Sequence, residues 1–192
     1  MVETKHQTYV YVGLAGEGPL VVGAEGAALG TGGLYRRADG DAEWHSIGRG
    51  LPPDPQVRAL LVHPANPRVV FAGTHKGVYR SEDRGGRWDP LGAPPGDVWS
   101  LAFHPHDPDV IYAGYDRCAI VRSEDSGASW RKMDTSNVVF PHITMHPTPI
   151  VKRVIGIAAD PSEPMDVYGA IEVGGLVASR DGGETWESIT DG

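Results

Sequence analysis

His142 and His146 stand four residues apart in a stretch bracketed by Pro141, Pro147 and Pro149. Two imidazoles, joined by His75 and a carboxylate from Asp116 or Glu172, could hold Zn²⁺ or another divalent metal. Such an ion could activate water. Four-residue spacing aligns two side chains only on a helix, and three prolines oppose a helix here. Plain loop histidines, and acid–base histidines without a metal, therefore stand beside the metal reading. A second group comprises His75, Asp97, Trp99, Asp116, Arg117, Lys152, Arg153 and Glu172. Acids, bases and an indole in one place would suit a polar or anionic ligand. Cys118 adjoins Arg117, whose charge would lower the thiol pKa if the side chains met. No Walker loop, G-x-S-x-G elbow or paired-cysteine metal motif occurs.

What must position these residues is a repeat. Ser81 to Trp88, Ser123 to Trp130 and Ser179 to Trp186 share the pattern S-x-D-x-G-x-x-W, and Arg37 to Trp44 is a worn fourth copy. Trp44, Trp88, Trp130 and Trp186 are separated by 44, 42 and 56 residues. A unit of about 40–50 residues built of short strands has the size of a four-stranded propeller blade. Before each complete copy lie two apolar runs: Val57 to His63 and Val69 to Gly73, Val98 to His104 and Val110 to Gly114, Val154 to Ala159 and Val167 to Ala170. They are rich in β-branched and aromatic residues and bounded by Gly, Pro, Asn and Asp, which predicts strand–turn–strand. No stretch carries sustained helical spacing of apolar residues. Each blade thus runs a to d outward from the axis, and the repeated box is the c–d hairpin. Its aspartate (Asp83, Asp125, Asp181) accepts from its own turn. Its glycine (Gly85, Gly127, Gly183) permits positive φ. Its tryptophan packs between strands or blades. Ser81, Ser123 and Ser179 open the turns. His63 and His104 recur at one register beside the a–b turn, which marks them as turn elements rather than ligands.

The chain has 192 residues and a formal net charge of −8, from 17 Lys and Arg against 25 Asp and Glu. That length can bury a sizeable core. The charge argues against a nucleic-acid binder. One cysteine excludes an internal disulfide. The first residues lack a signal-peptide pattern, and no apolar run is long enough for a membrane span. A cytoplasmic protein without nucleic-acid or membrane partners is the expectation.

The three boxes resemble the Asp-box, or BNR repeat, of bacterial sialidase-like and glycosyl-hydrolase-like β-propellers, over about residues 29–192. The resemblance implies an all-β propeller of four-stranded antiparallel blades, about four in this chain, in a single domain 1–192. It also implies ligand sites on the face opposite the boxes, around the channel mouth, where the b–c loops and strand-a starts carry the second group above. The bland alternative is a mouth that is polar because it is wet. The lengthened step between Trp130 and Val151 is a d–a connection, expected to hang over that mouth with His142 and His146. A sialidase, as the resemblance implies, would carry an R-I-P segment, and none occurs. A glycoside hydrolase would need two carboxylates about 5–10 Å apart, with Asp97, Asp116 and Glu172 available.

Resembling propellers usually have six or more blades. The chain is then a portion of a longer propeller, or a small ring completed by the strand Thr8 to Val12, or one of two chains sharing a larger ring. Three functions remain open. One is a module binding a small polar molecule, saccharide or protein at the mouth. Another is a glycoside-hydrolase-like or metal-assisted hydrolase. The third is an assembly unit completed by another chain.

Overall fold

The computed structural model describes residues 7–16, 20–22, 27–29, 32–140 and 151–190. Among these every regular element is a strand. The first blade holds β1 (Tyr9–Ala15), β4 (Gly32–Ala38) and β5 (His45–Ser46), with a separate hairpin of β2 (Leu20–Val22) and β3 (Ala27–Leu29) between β1 and β4. The second holds β6 (Ala59–Val62), β7 (Val70–Thr74), β8 (Gly77–Ser81) and β9 (Asp89–Pro90). The third holds β10 (Val98–Phe103), β11 (Ile111–Tyr115), β12 (Ile120–Ser123) and β13 (Arg131–Lys132). The fourth holds β15 (Val154–Ala159), β16 (Val167–Ile171), β17 (Gly175–Ser179) and β18 (Thr185–Ser188). It gains a fifth strand, β14 (Asp134–Asn137), parallel to β18 on the outer edge.

Four-stranded blades therefore hold for the second and third, not for the first and fourth. β1 carries Gly13, as β7 carries Gly73 and β11 Gly114, so it is a strand b. Among the described residues the first blade has no innermost strand. The segment Thr8 to Val12 pairs with β4 of its own blade, Val12 facing Tyr35, rather than completing another. The lengthened connection after Trp130 does not go straight to the mouth. Its first part, β14, runs along the fourth blade's rim; residues 141–150 lie outside the described residues.

The box turns explain the sequence pattern atom by atom. In the second blade Ser81 Oγ accepts from Gly85 N at 2.8 Å and donates to Asp83 Oδ1 at 2.8 Å. Asp83 Oδ1 also accepts from Arg87 N at 2.9 Å. Ser123 and Ser179 repeat the glycine contact at 2.8 Å. The glycines sit at φ +89°, +90° and +94°, where a side chain would be strained. His63 Nδ1 accepts from Ala65 N and Asn66 N, and His104 Nδ1 from His106 N. Both imidazoles close the a–b turns.

Blades join through three cores in chain order. Leu34 and Ile47 of the first meet Val57, Val70, Ala72 and Trp88 of the second. Phe71 and Val78 meet Val98, Ile111, Ala113 and Val121. Tyr112, Ile120 and Met133 meet Val154, Val167, Val177 and Trp186. Polar contacts tie the same junctions: Trp88 Nε1 donates to Ile47 O at 2.7 Å, and Tyr112 Oη to Gly182 O at 2.8 Å. One further rule runs through all three. A Cβ on Gly13, Gly73 or Gly114 would lie 2.6–2.7 Å from Cγ1 of Val57, Val98 or Val154. Glycine in strand b makes room for the valine that opens strand a of the next blade.

Candidate ligand-binding site

Strand b ends, and strand a begins, at the rim opposite the boxes. The valine lock fixes where each strand a starts, and so fixes the residue that follows: Arg58, Trp99 and Ile155. At Trp99 and Ile155 the a–b register slips by one residue. A bulge of this kind re-aims the extra side chain. The outcome at Trp99 is a row drawn from three successive blades. Arg58 lies over the indole at 4.5 Å, and Arg153 also stacks on it at 4.6 Å. Arg58 Nη1 donates to Asp97 Oδ1 at 2.7 Å, and Arg153 Nη1 to Glu172 Oε2 at 2.7 Å. Each guanidinium is thus fixed on one side by an aromatic face and on the other by a carboxylate. Cation–π contacts contribute about 0.5–2 kcal/mol each, more as water is excluded. The indole Nε1 is buried and has no acceptor among the described residues.

Sequence placed Asp97, Trp99, Arg153 and Glu172 in one candidate group, and here they touch one chain of contacts. Arg58 joins them from outside that group. The aligned runs Val57-Arg58-Ala59 and Val98-Trp99-Ser100 held the signal, since residues at one register in adjacent blades are neighbours around the channel.

The other candidates stand beside the row rather than in it. Arg117 is 87 % exposed, with its Nε only 4.0 Å from Asp116 Oδ2. Lys152 Nζ donates to Val173 O and lies over the Phe140 ring at 5.6 Å. His75, in the β7–β8 turn, has a buried Nδ1 without a partner among the described residues. Three non-glycine residues of the b–c turns hold left-handed backbone, Arg117 at φ 56°, Cys118 at 56° and Val173 at 52°. Positive φ in a β-branched residue is a rare, strained state, of the kind that gathers at ligand sites.

One expectation changes. Cys118 is buried, and burial pushes its thiol pKa up; the exposed guanidinium of Arg117 turns outward and does not activate it. His142 and His146 lie outside the described residues, and among the described residues no three of His, Cys, Asp and Glu gather as a ligand set. Among them, too, no helix is long and apolar enough to cross a membrane.

Residues 76–192 match the family described as Sortilin, neurotensin receptor 3 (Sortilin-Vps10). That is more than half of the chain. The chain belongs to the Sortilin-Vps10 family. No curated protein matches it. Among solved structures it is similar to an ancestral GH74 enzyme, at 20 % identity and TM-score 0.65, over 83 % of this chain and 21 % of that one. It is similar also to a chain of the COPII outer coat vertex on membranes, at 14 % identity and TM-score 0.57, over 93 % and 45 %. The chain spans about a fifth and under a half of these two relatives. At such identities the likeness shows the fold alone. This Sortilin-Vps10 chain is an Asp-box β-propeller arc of four blades, in a fold shared by enzymes and coat proteins.

Proposed function

We propose that this chain is a binding propeller that takes a polar ligand, or an exposed segment of a protein partner, on the Asp97–Arg58–Trp99–Arg153–Glu172 row. The observation that carries the reading is the indole clamped by two guanidiniums from the neighbouring blades. Clamping removes side-chain freedom before a ligand arrives, so less ordering entropy is lost on binding. Both mouth carboxylates in the row face an arginine rather than each other, an arrangement that suits recognition better than the paired carboxylates of glycoside hydrolysis. Arg117 and Lys76, exposed nearby, add cations within a chain of net negative charge. A family named for a neurotensin receptor favours binding over chemistry.

The test is a panel of fluorescent acidic, basic and neutral peptides and short oligosaccharides, read by anisotropy. A member of the panel should bind, and Trp99→Ala should weaken it about 30-fold, the effect of losing a central aromatic anchor. Arg153→Ala should weaken it too. Binding that survives Trp99→Ala unchanged would refute the assignment.

A further inference from the structure

Arginine recurs at one register of strand c. Arg36, Arg80 and Arg122 lie opposite His45, Asp89 and Arg131 of strand d, and opposite Tyr11, Phe71 and Tyr112 of strand b. Two of these arginines reach an acceptor in the box of the following blade. Arg36 Nη1 donates to Arg84 O at 2.6 Å. Arg122 bonds Glu184 at 3.0 Å, where Arg131 joins it, and Glu124 of its own blade at 3.1 Å. Arg80 keeps the own-blade contact, to Glu82, and has no other hydrogen-bond or ion-pair partner among the described residues. At the register of Glu184 the third blade's box has Ala128. The adjoining tie is absent as well. Tyr11 and Tyr112 donate from Oη to Arg84 O and Gly182 O, at 3.5 and 2.8 Å, and Phe71 has no hydroxyl to do so.

The junction of the second and third blades thus lacks the polar group that its neighbours supply. A cavity of about 430 Å³ stands there, lined by Arg68, Arg80, Arg87, Glu82, Asp89 and Leu91, with Asp83 committed to its own box turn. Leu91 sets it beside the third blade's box, since a Cβ on Gly127 would lie 2.5 Å from Leu91 Cδ1. We propose that this cavity, on the rim opposite the Trp99 row, is a second site and takes a carboxylate-bearing ligand, whose carboxylate stands where Glu184 stands one junction on. The charges favour it. Arg68 and Arg87 occupy the registers of Asp109 and Ser129, and Asp89 that of Arg131, so the second-blade set is more positive by one charge than the third-blade set that already holds Glu184. Arg87 is held by Asp89 at 3.1 Å. The guanidinium of Arg68 has no partner among the described residues. Guanidiniums match a carboxylate with two parallel N–H donors.

NMR of the full chain tests this, reading the arginine Nε–Hε signals, each assigned by substitution, while sodium glutarate replaces sodium chloride at constant ionic strength. Glutarate ends as a glutamate side chain does. The Arg80 signal should move and saturate at about millimolar glutarate. Arg68→Gln should weaken that binding about tenfold, the effect of losing one charged hydrogen-bond donor. Ala128→Glu supplies the carboxylate from the protein itself, so its Arg80 signal should start displaced and ignore glutarate. Circular dichroism checks that both variants fold. A blocked triglutamate peptide in place of glutarate separates the sources. An Arg80 response to the peptide, with or without one to glutarate, assigns an acidic segment of a partner; a response to glutarate alone assigns a free organic acid. An Arg80 signal that stays still with both probes overturns the proposal. So does a response confined to Arg58 and Arg153, which would send the carboxylate to the channel mouth instead. Glutarate binding that survives Ala128→Glu or Arg68→Gln unchanged overturns it as well.

Discussion

Gly114→Ala should destabilise the propeller well beyond a typical glycine substitution in a strand. The new Cβ would lie 2.4 Å from Ser100 Oγ, 2.6 Å from Val154 Cγ1 and 2.7 Å from Val154 Cβ. None of these can yield freely. Val154 is fully buried in the junction of the third and fourth blades. Ser100 Oγ is held by its bond to Val154 O at 2.7 Å. Overpacking a tight core costs about 1–3 kcal/mol, and displacing Ser100 from a buried hydrogen bond adds about 1 kcal/mol. A chain of this size loses roughly 2–4 °C of Tm per kcal/mol, so the melting point should fall by roughly 5–15 °C. Urea and thermal melts followed by tryptophan fluorescence read both quantities. Two companions sharpen the result. Gly156→Ala meets only Ala170 Cβ at 3.6 Å, an ordinary contact, and should change stability by under about 0.5 kcal/mol. Val154→Ala opens the space, so combined with Gly114→Ala it should show a favourable coupling of about 0.5–3 kcal/mol. A Gly114→Ala protein that melts with the wild type, or a cycle with no coupling to Val154, would refute the valine lock and the blade register built on it.

Other outcomes follow from the same packing. Trp186→Ala, emptying the junction of the third and fourth blades, should cost about 3–5 kcal/mol in a urea melt. Asp181→Ala should cost about 1–3 kcal/mol, because the turn N–H and hydroxyl groups of Thr185 and Ser179 lose a charged acceptor. The boxes also set an acid limit. Ser129 and Ser123 hydrogen bonds hold the Asp125 carboxyl at about 2. For Asp181 partial burial opposes the charge, but bonds from Ser179 and Thr185 prevail and hold it at about 2. Native pKa values below the unfolded ones mean the unfolded chain binds more protons, so this stability is present above about pH 4 and is lost as pH falls toward 2. Asn at both positions should flatten that limb of an acid titration followed by fluorescence. Cys118, buried with a raised pKa, should resist iodoacetamide at pH 7 until denaturant is added, when mass spectrometry should find one alkylation.

Much of the fold was legible because the repeat is written in residues with one physical job each. Ser, Asp, Gly and Trp of the box can be read as acceptor, turn, positive φ and core filler without coordinates. What the spacing concealed was where each blade's strands come from. Thr8 to Val12 reads as a strand, yet only pairing with β4 identifies it as strand b of its own blade. Asp134 to Asn137 reads as part of a loop, because Asp, Thr, Ser and Asn have weak β preference; the edge of β18 supplies the partner that makes it a strand. The site was legible as a set and not as a geometry. Asp97, Trp99, Arg153 and Glu172 share one rim in any propeller of this type. That Trp99 is a bulge residue, turned between Arg58 and Arg153, depends on a register slip that no composition or period reveals.

The indole N–H resonances give the most direct measurement of the central claim, that three blades join Arg58, Trp99 and Arg153 into one binding row. Five tryptophans give five such signals, each assigned by substitution. The signal of Trp99 should move with Arg58→Ala and with Arg153→Ala, and should move again when the bound member of the peptide and oligosaccharide panel is added. If the Trp99 signal ignores both arginines, or if the ligand shifts Trp44 or Trp186 and leaves Trp99 in place, the row is not the site.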